Sequence, residues 1–299
     1  MEGLQHVIQE IETDLETVQK DASLYEEANF SARVDALDTI EVHILDRIES
    51  LLSVNSGHEA ILELQQRAES LKNALEAANE RFLKKLRNNI ATSNYTRADL
   101  RRQFATYATE NDPGYISYDT LDILICGLLQ IDSIPEEIRE REPEMVPYQP
   151  TPARMILELL KHGHVSKDDV LYDLGSGLGR VPILINILSG AGTKGVELEP
   201  AYCHYARQRV KCLHLSNVEF INADVRMADY ADGTLFYLYT PFMGRILADV
   251  LTRLAQEARK RTIHVFTYGP CTQQVAQQGW LQPLRYHGFE YELAVFQSC

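Results

Sequence analysis

Apolar residues recur in helical steps along the first third of the chain. Leu4, Ile8, Ile11, Leu15 and Val18 step by fours and threes. Leu37, Ile44, Ile48 and Leu51 make a second seam, and Leu64, Ala68, Leu71, Leu75, Ala78 and Phe82 a third. Stripes of that period are the core-facing sides of amphipathic helices. Residues 1–92 are therefore predicted to be three helices, broken near 26–32 and 53–58, where Asn, Ser and Gly gather. Each seam is short, which favours a packed antiparallel bundle over an extended coiled coil. A helical hairpin completed by a second copy, a homodimer, satisfies the same pattern.

Shorter helices follow. Thr96 is a candidate cap for the stretch from Arg97 to Ala108. "NDPG" at 111–114 reads as a turn, Ser117 as the cap of the next helix, and Ser133 with Pro135 and Glu136 as one more helix start. Pro147, Pro150 and Pro152 then make a stiff, extended connector. The boundary is placed there, with a helical domain over 1–145 and a second domain over 146–299.

In the second domain the period changes. Apolar strand-length runs ("DVLYDL", "TKGVELE", "NVEFINAD", "GTLFYLYTPF", "RTIHVFTY") alternate with helical stretches, and "LQPLRYH" and "FEYELAVFQ" close the chain with no room for a helix between them. Alternation at these lengths predicts an α/β fold: a seven-stranded, mostly parallel Rossmann-like sheet, with an antiparallel hairpin at its end. Ligands of such sheets bind beyond the carboxyl ends of the strands. Here those ends carry Asp173, Glu197 or Glu199, Asp224 and Thr240.

Charge is divided unevenly. Residues 1–150 hold 29 acids and 14 bases, and residues 151–299 hold 14 acids and 15 bases. An acidic half argues against a nucleic-acid backbone footprint, which needs clustered Lys and Arg. It suits a basic protein partner or simply a solvated surface. Five scattered cysteines without a CxxC pair point to a reducing compartment rather than to disulfides or zinc. The acidic, periodic start does not read as a signal peptide, and no apolar run has membrane length. A cytoplasmic location with no membrane partner is the expectation.

The stretch "LYDLGSGLGR" at 171–180 carries the chemistry. A glycine-rich strand-to-helix turn often cradles a diphosphate. Here Asp173 precedes the glycines by two residues and would repel one. A carboxylate there welcomes a cation, and Glu197, 24 residues on, stands where an acid pairs with ribose hydroxyls. The pattern fits a nucleoside bearing an ammonium or sulfonium group.

"VLYDLGSGLGR", "GVELEP", "INADVR" and "LYTPF" together resemble the cofactor motifs of class I S-adenosylmethionine-dependent methyltransferases, over roughly 146–299. "YQPTPARMILELL" before the glycine motif resembles, more particularly, small bacterial relatives of the disruptor-of-telomeric-silencing histone lysine methyltransferases. The resemblance implies S-adenosyl-L-methionine as cofactor. Asp173 would take its ammonium, and Gly175, Ser176, Gly177 and Gly179 would form the loop against it. Glu197 would bind the ribose, Asp224 the adenine amino group, and Tyr148 and Thr151 would close over the methionine end. Tyr239, Thr240, Pro241 and Phe242 would face the methyl group. The acceptor would be a protein side chain such as lysine, or a small molecule; a non-enzymatic interaction protein that only binds the cofactor and works through its helical domain is the remaining alternative. Thr-Pro-Phe lacks the carboxamide or carboxylate of the Asn/Asp-Pro-Pro-aromatic motif, which weighs against a nucleic-acid base. Tyr148, Tyr239 and Tyr268 are conceivable proton acceptors. Arg180 has two open roles, reaching a ligand carboxylate or pairing with a nearby acid.

Overall fold

The computed structural model describes residues 2–54, 59–108 and 118–299. The "NDPG" turn and the Ser117 cap lie outside them, as does most of the second expected break. The chain forms two compact units, Met1–Leu86 and Arg87–Cys299. Residues 87–145, grouped above with the helical half, pack within the second unit.

In the first unit, α1 (Glu2–Lys20) is followed by a 3-10 turn (Ala22–Tyr25), which Asp21 caps by accepting from the Ser23 N–H. Next, α2 (Phe30–Asp38) runs through a π-helical stretch (Thr39–Leu45) into α3 (Asp46–Val54), and α4 (Glu59–Ala91) begins. The expected seams meet in one core that includes Ile11, Leu15, Ile40, Ile44, Ile48, Leu64, Ala68 and Leu75. Residues four apart overshoot a full α-turn by about 40°. The wider π turns reduce that drift and keep Ile40, Ile44 and Ile48 on the buried side. Ion pairs Glu27–Lys85 and Glu41–Lys72 set the middle span antiparallel to α4. Arg33 is buried at this join, where its guanidinium donates to Asn79 Oδ1 at 2.6 Å and to the carbonyls of Leu24 and Glu26.

The second unit starts with the last residues of α4 and continues with α5 (Arg97–Ala105), capped by Thr96 as expected, and α6 (Thr120–Leu129). Asp119 caps α6 in a reciprocal box with Asp122. The helix expected from Ser133 does not form: residues 131–150 carry no helix and run as a strap. The reason is where their donors go. The N–H groups of Ile138 and Arg139 donate to the Glu199 carboxylate, and that of Val146 to Pro241 O. Pro143, Pro147 and Pro150 have no N–H to give.

After α7 (Ala153–His162) the alternation unfolds as expected: β1 (Val170–Leu174), α8 (Arg180–Ser189), β2 (Gly192–Glu197), α9 (Pro200–Cys212), β3 (Val218–Asn222), β4 (Leu235–Leu238), α10 (Gly244–Ala258), β5 (His264–Thr267), α11 (Cys271–Ala276), β6 (Leu281–Arg285) and β7 (Ala294–Ser298). Gly163 ends α7 with φ −87°, and the left-handed position belongs to His164, at φ 49°. One seven-stranded sheet has the order β3-β2-β1-β4-β5-β7-β6. β3 to β5 are parallel throughout, and β7 enters antiparallel between β5 and β6. Pro283 is tolerated because β6 is an edge strand. The central strands are nearly continuous apolar runs because helices cover both faces; Leu174, Val196, Phe236, Leu238, Val265 and Phe296 lie in the core. The order switches between β1 and β4, and the pocket opens at their carboxyl ends.

Candidate functional site

The glycine loop turns its donors inward. Gly175 N and Ser176 N donate to Val196 O at 2.8 and 3.1 Å, Gly177 N to Glu197 Oε2 at 2.8 Å, and Gly179 N to Ser176 O at 2.9 Å. These N–H groups are unavailable to a diphosphate, in keeping with what Asp173 implied. Gly175, Gly177 and Gly179 have φ of 84°, 52° and 84°, a region that favours glycine. The space a side chain would fill is already taken. A Cβ would lie 2.2 Å from Pro241 at Gly175, 2.3 Å from the Tyr148 ring at Gly177, and 2.4 Å from Phe220 at Gly179. The first two glycines therefore admit the site's own residues, where close approach of a ligand was expected. Gly179 is the N-cap of α8, packs against Phe220 and Ala206, and is absent from the pocket lining.

The pocket has a volume of about 370 Å³, within the range of small-molecule sites. It brings together Tyr148, Thr151, Asp173, Gly175, Ser176, Gly177, Glu197, Asp224, Tyr239, Thr240, Pro241 and Phe242, whereas Tyr268, a conceivable proton acceptor, is buried behind the lining. Among the described residues, no cluster of His, Cys, Asp and Glu is arranged to hold a metal, and no helix is long and apolar enough to cross a membrane.

Asp173 sits at the end of β1, between Gly195 of β2 and Tyr237 of β4, and is 4% exposed. Burial holds its pKa well above the ordinary carboxylate value, and the charge of Glu197 pushes the same way. Burial likewise raises Glu197, although N–H donors from Glu199, Gly177 and Leu198 counteract it. A buried acid and a half-buried one lining a single cavity are an arrangement that a cation would relieve. The residues present thus fit a ligand with a positive group over Asp173 and hydrogen-bond donors toward Glu197. The hydroxyl of Ser176, buried and unpartnered, is a further polar group at the same loop.

Asp224 is occupied differently. Arg226 grips it through Nε, at 2.9 and 3.0 Å, and through Nη2, while Nη2 also reaches Glu142 Oε1 at 2.5 Å. The Arg226 hydrogen bonds hold its carboxyl below the usual range. A ligand amino group would meet an ionised acid whose orientation Arg226 fixes.

At the far end, Tyr239 and Tyr268 are 5.2 Å apart between ring centroids, and Tyr268 and Tyr291 are 6.0 Å apart, edge to face. Pro150, Pro270, Tyr239 and Tyr291 line this end. Burial foremost pushes the Tyr239 and Tyr148 hydroxyls far above the ordinary phenol value. Thr240 has φ 34°, an outlier for a β-branched residue. Its hydroxyl is used inward, donating to Tyr268 O and accepting from Cys271 N, both at 3.3 Å. Gly269 makes room for it, since a Cβ there would lie 2.4 Å from Thr240 Oγ1. Pro241 presents its ring to Gly175, and Phe242 bridges to Met145 of the strap.

The sequence reading missed the strap and what holds it. Glu137, Arg139, Glu140 and Arg141 line the pocket. Glu199 caps α9 through the Ala201 N–H while accepting from Ile138 and Arg139. Burial opposes its charge, but those three donors outweigh it and lower the pKa. Tyr202 on α9 donates to Glu137 and lies 5.4 Å from the Tyr148 ring. An acid directly before Pro200 is a helix-cap signature, and that was the available signal for Glu199. Of the two roles open to Arg180, the structure fills one: it pairs with Asp122.

No family model matches the sequence. A 38-residue stretch, 13% of this chain, is 50% identical to a protein-lysine N-methyltransferase of Saccharolobus islandicus. The chain spans about a quarter of the length of that relative, at 24%. An RNA methyltransferase from Salinibacter ruber, solved with S-adenosyl-L-homocysteine, aligns with 50% of this chain and 92% of its own, at 25% identity and a TM-score of 0.41. Precorrin-6y C5,15-methyltransferase from Geobacter metallireducens aligns with 52% of this chain and 94% of its own, at 17% identity and a TM-score of 0.38. The chain is thus similar to methyltransferases, in sequence over that 38-residue stretch and in fold to those two solved structures.

Proposed function

We infer that this chain is an S-adenosylmethionine-dependent methyltransferase that acts on a protein side chain, with lysine as the acceptor. One observation carries the cofactor assignment. Asp173 is a buried acid whose charge is disfavoured by its own burial and by Glu197, beside a glycine loop whose N–H groups are already used. That site repels phosphate and gains from a cation. Asp173 takes the methionine ammonium, Glu197 the ribose hydroxyls and Asp224 the adenine amino group. Tyr148 and Thr151 cover the methionine end.

The bound cofactor supplies an activated sulfonium methyl group. The protein's part is alignment and exclusion of water, and alignment alone is worth up to about 7–11 kcal/mol. Pro241 and Phe242 shape an apolar wall, and Tyr239 and Tyr291 line the approach, with the buried Tyr268 ring packed against both. Uncharged aromatic faces suit the apolar methylene stem of a lysine, which packs along apolar surface. The short match to a lysine methyltransferase supports the same acceptor. The phenols stay protonated near neutrality, so lysine sheds its proton to solvent before it docks. Residues 1–86 hold 18 acids and 8 bases, a balance that suits a basic protein substrate or partner.

Calorimetry should show one S-adenosylmethionine bound per chain, and labelled methyl groups should enter the protein fraction of a lysate at lysine. Label confined to small molecules would replace the protein acceptor with a metabolite. Absence of binding would remove the methyltransferase assignment.

A further inference from the structure

At the wall of the pocket lies a buried polar knot in which Arg180, a lining residue, meets an acid that the expected site residues do not include. Asp122 of α6 and Arg180, the first residue of α8, are each 4% exposed and paired. Asp122 Oδ1 also accepts from Ala153 N at 2.9 Å, where α7 begins, and its Oδ2 accepts from Asp119 N at 3.1 Å. Arg180 Nη1 donates in addition to Thr151 O at 3.1 Å, and Nη2 meets Cys126 Sγ at 3.0 Å.

One carboxylate and one guanidinium therefore join the starts of three helices. Two of those starts border the pocket: Arg180 follows the glycine loop, and Ala153 follows the connector that carries Tyr148 and Thr151. The same two segments touch directly, because the Tyr148 ring fills the space over Gly177. Asp122 itself does not line the pocket.

We propose that the Asp122–Arg180 pair is a positioning device for the cofactor, with α6 serving as a working part of the site that holds the Tyr148–Thr151 connector against the glycine loop. The proposal rests on the methyltransferase reading above. Its logic is that a buried pair contributes little net stability against an apolar replacement of similar size, yet fixes geometry. Stability and binding should therefore separate.

The test uses the full chain and S-adenosylmethionine, with Kd from calorimetry and thermal unfolding measured in parallel. The double variant Asp122→Leu with Arg180→Met removes both charges together. Its melting temperature should stay within about 5 °C of the unmodified chain while Kd rises at least tenfold. Asp122→Asn covers the case in which the double variant fails to fold. It keeps Arg180 and one acceptor oxygen but cannot satisfy all three donors, and its Kd should rise about three- to tenfold. Asp122 does not line the pocket and Asp122→Asn leaves Arg180 in place, so that rise reports positioning rather than a lost contact. The double variant, which removes Arg180 from the lining, does not make that separation. A folded variant that binds within twofold of the unmodified chain would overturn the proposal alone. An unmodified chain that binds no S-adenosylmethionine would overturn the function it rests on, and the proposal with it.

Discussion

The backbone N–H of Gly177 donates to Oε2 of Glu197 at 2.8 Å, so the acid at the end of β2 holds the turn at the end of β1. Its other oxygen accepts from Glu199 N, also at 2.8 Å. Glu197 thus has a structural task besides its proposed hold on the ribose. Glu197→Ala would leave two buried N–H groups without partners, at about 1–3 kcal/mol each. The melting temperature should fall by at least about 4 °C and the Kd for S-adenosylmethionine should rise at least tenfold. Glu197→Gln retains one acceptor oxygen and should lose less stability. Thermal unfolding and calorimetry on both variants check this.

Gly177 has a second constraint, because φ 52° and the Tyr148 ring both exclude a side chain. Gly177→Ala would cost about 1–2 kcal/mol for the left-handed backbone and more for pushing Tyr148 off the loop. The displaced ring belongs to the connector over the methionine end. Cofactor affinity should therefore drop about tenfold or more, by calorimetry. Unaltered affinity would mean that Tyr148 does not shape the bound site.

Asp173 should behave in the opposite sense to Glu197. Its folded-state pKa lies well above the unfolded value, from burial first and Glu197 second. Between the two values the folded chain binds more protons than the unfolded chain. Stability is therefore fully retained below the unfolded value and falls as pH rises through the folded one. Asp173→Asn removes that loss. At pH 7.5 it should melt higher than the unmodified chain, by about 2–4 °C for each kcal/mol relieved, and the gap should close as the pH falls toward the ordinary carboxylate value. The same variant should not be stabilised by S-adenosylmethionine, whereas the unmodified chain at 100 times Kd should gain about 2.7 kcal/mol. A variant that melts lower at pH 7.5, or that ligand still stabilises, would contradict the role given to Asp173.

Local signals and distant ones were unequally legible in the sequence. The seams through Ile11, Ile44 and Leu75 and the alternation from Val170 onward are repeated over many residues, so pattern alone predicts the three helices, the seven strands and the strand ends that carry Asp173, Glu197 and Asp224. The Ser133–Pro135–Glu136 start obeys the local rule for a helix, but Glu199, about 60 residues away, takes the donors that a helix would use. Tertiary hydrogen bonding overrides propensity there. The Asp122–Arg180 pair, 58 residues apart, leaves no periodic trace, since any buried Arg could find any acid. The glycines were legible as glycines. What was hidden is that Pro241, Tyr148 and Phe220 occupy the space they free.

Tyr239 tests where the acceptor's proton goes. Its hydroxyl is held far above the ordinary phenol value, chiefly by burial. It cannot take a proton from a lysine near neutrality. Tyr239→Phe keeps the ring that stacks near Tyr268 and should retain methyl transfer to within about threefold. For both chains kcat/KM should rise about tenfold per pH unit from 7 to 9, because the deprotonated fraction of a free lysine, with a pKa near 10.4, grows at that rate. A variant slower by about a hundredfold or more across that range would make Tyr239 the base. Initial rates of labelled methyl transfer across pH provide the measurement.

Arg226 joins the strap to the sheet, gripping Asp224 at the end of β3 and reaching Glu142 on the strap. Its side chain is 28% exposed and that of Glu142 48%, so the pair alone contributes at most about 1 kcal/mol. Its effect should be local: Arg226→Ala frees the Asp224 carboxylate to reorient and unpins one end of residues 131–150, leaving Glu199 to hold the middle. The melting temperature should change by less than about 4 °C, while trypsin should cut after Arg139 and Arg141 several-fold faster than in the unmodified chain. S-adenosylmethionine should slow that cleavage in both chains, because the strap lines the same cavity. Its Kd should rise about three- to tenfold in the variant through the loosened Asp224. Cleavage at those two sites that neither the substitution nor the ligand alters would mean that Glu199 and the Val146–Pro241 contact hold the strap without Arg226 and that it takes no part in binding.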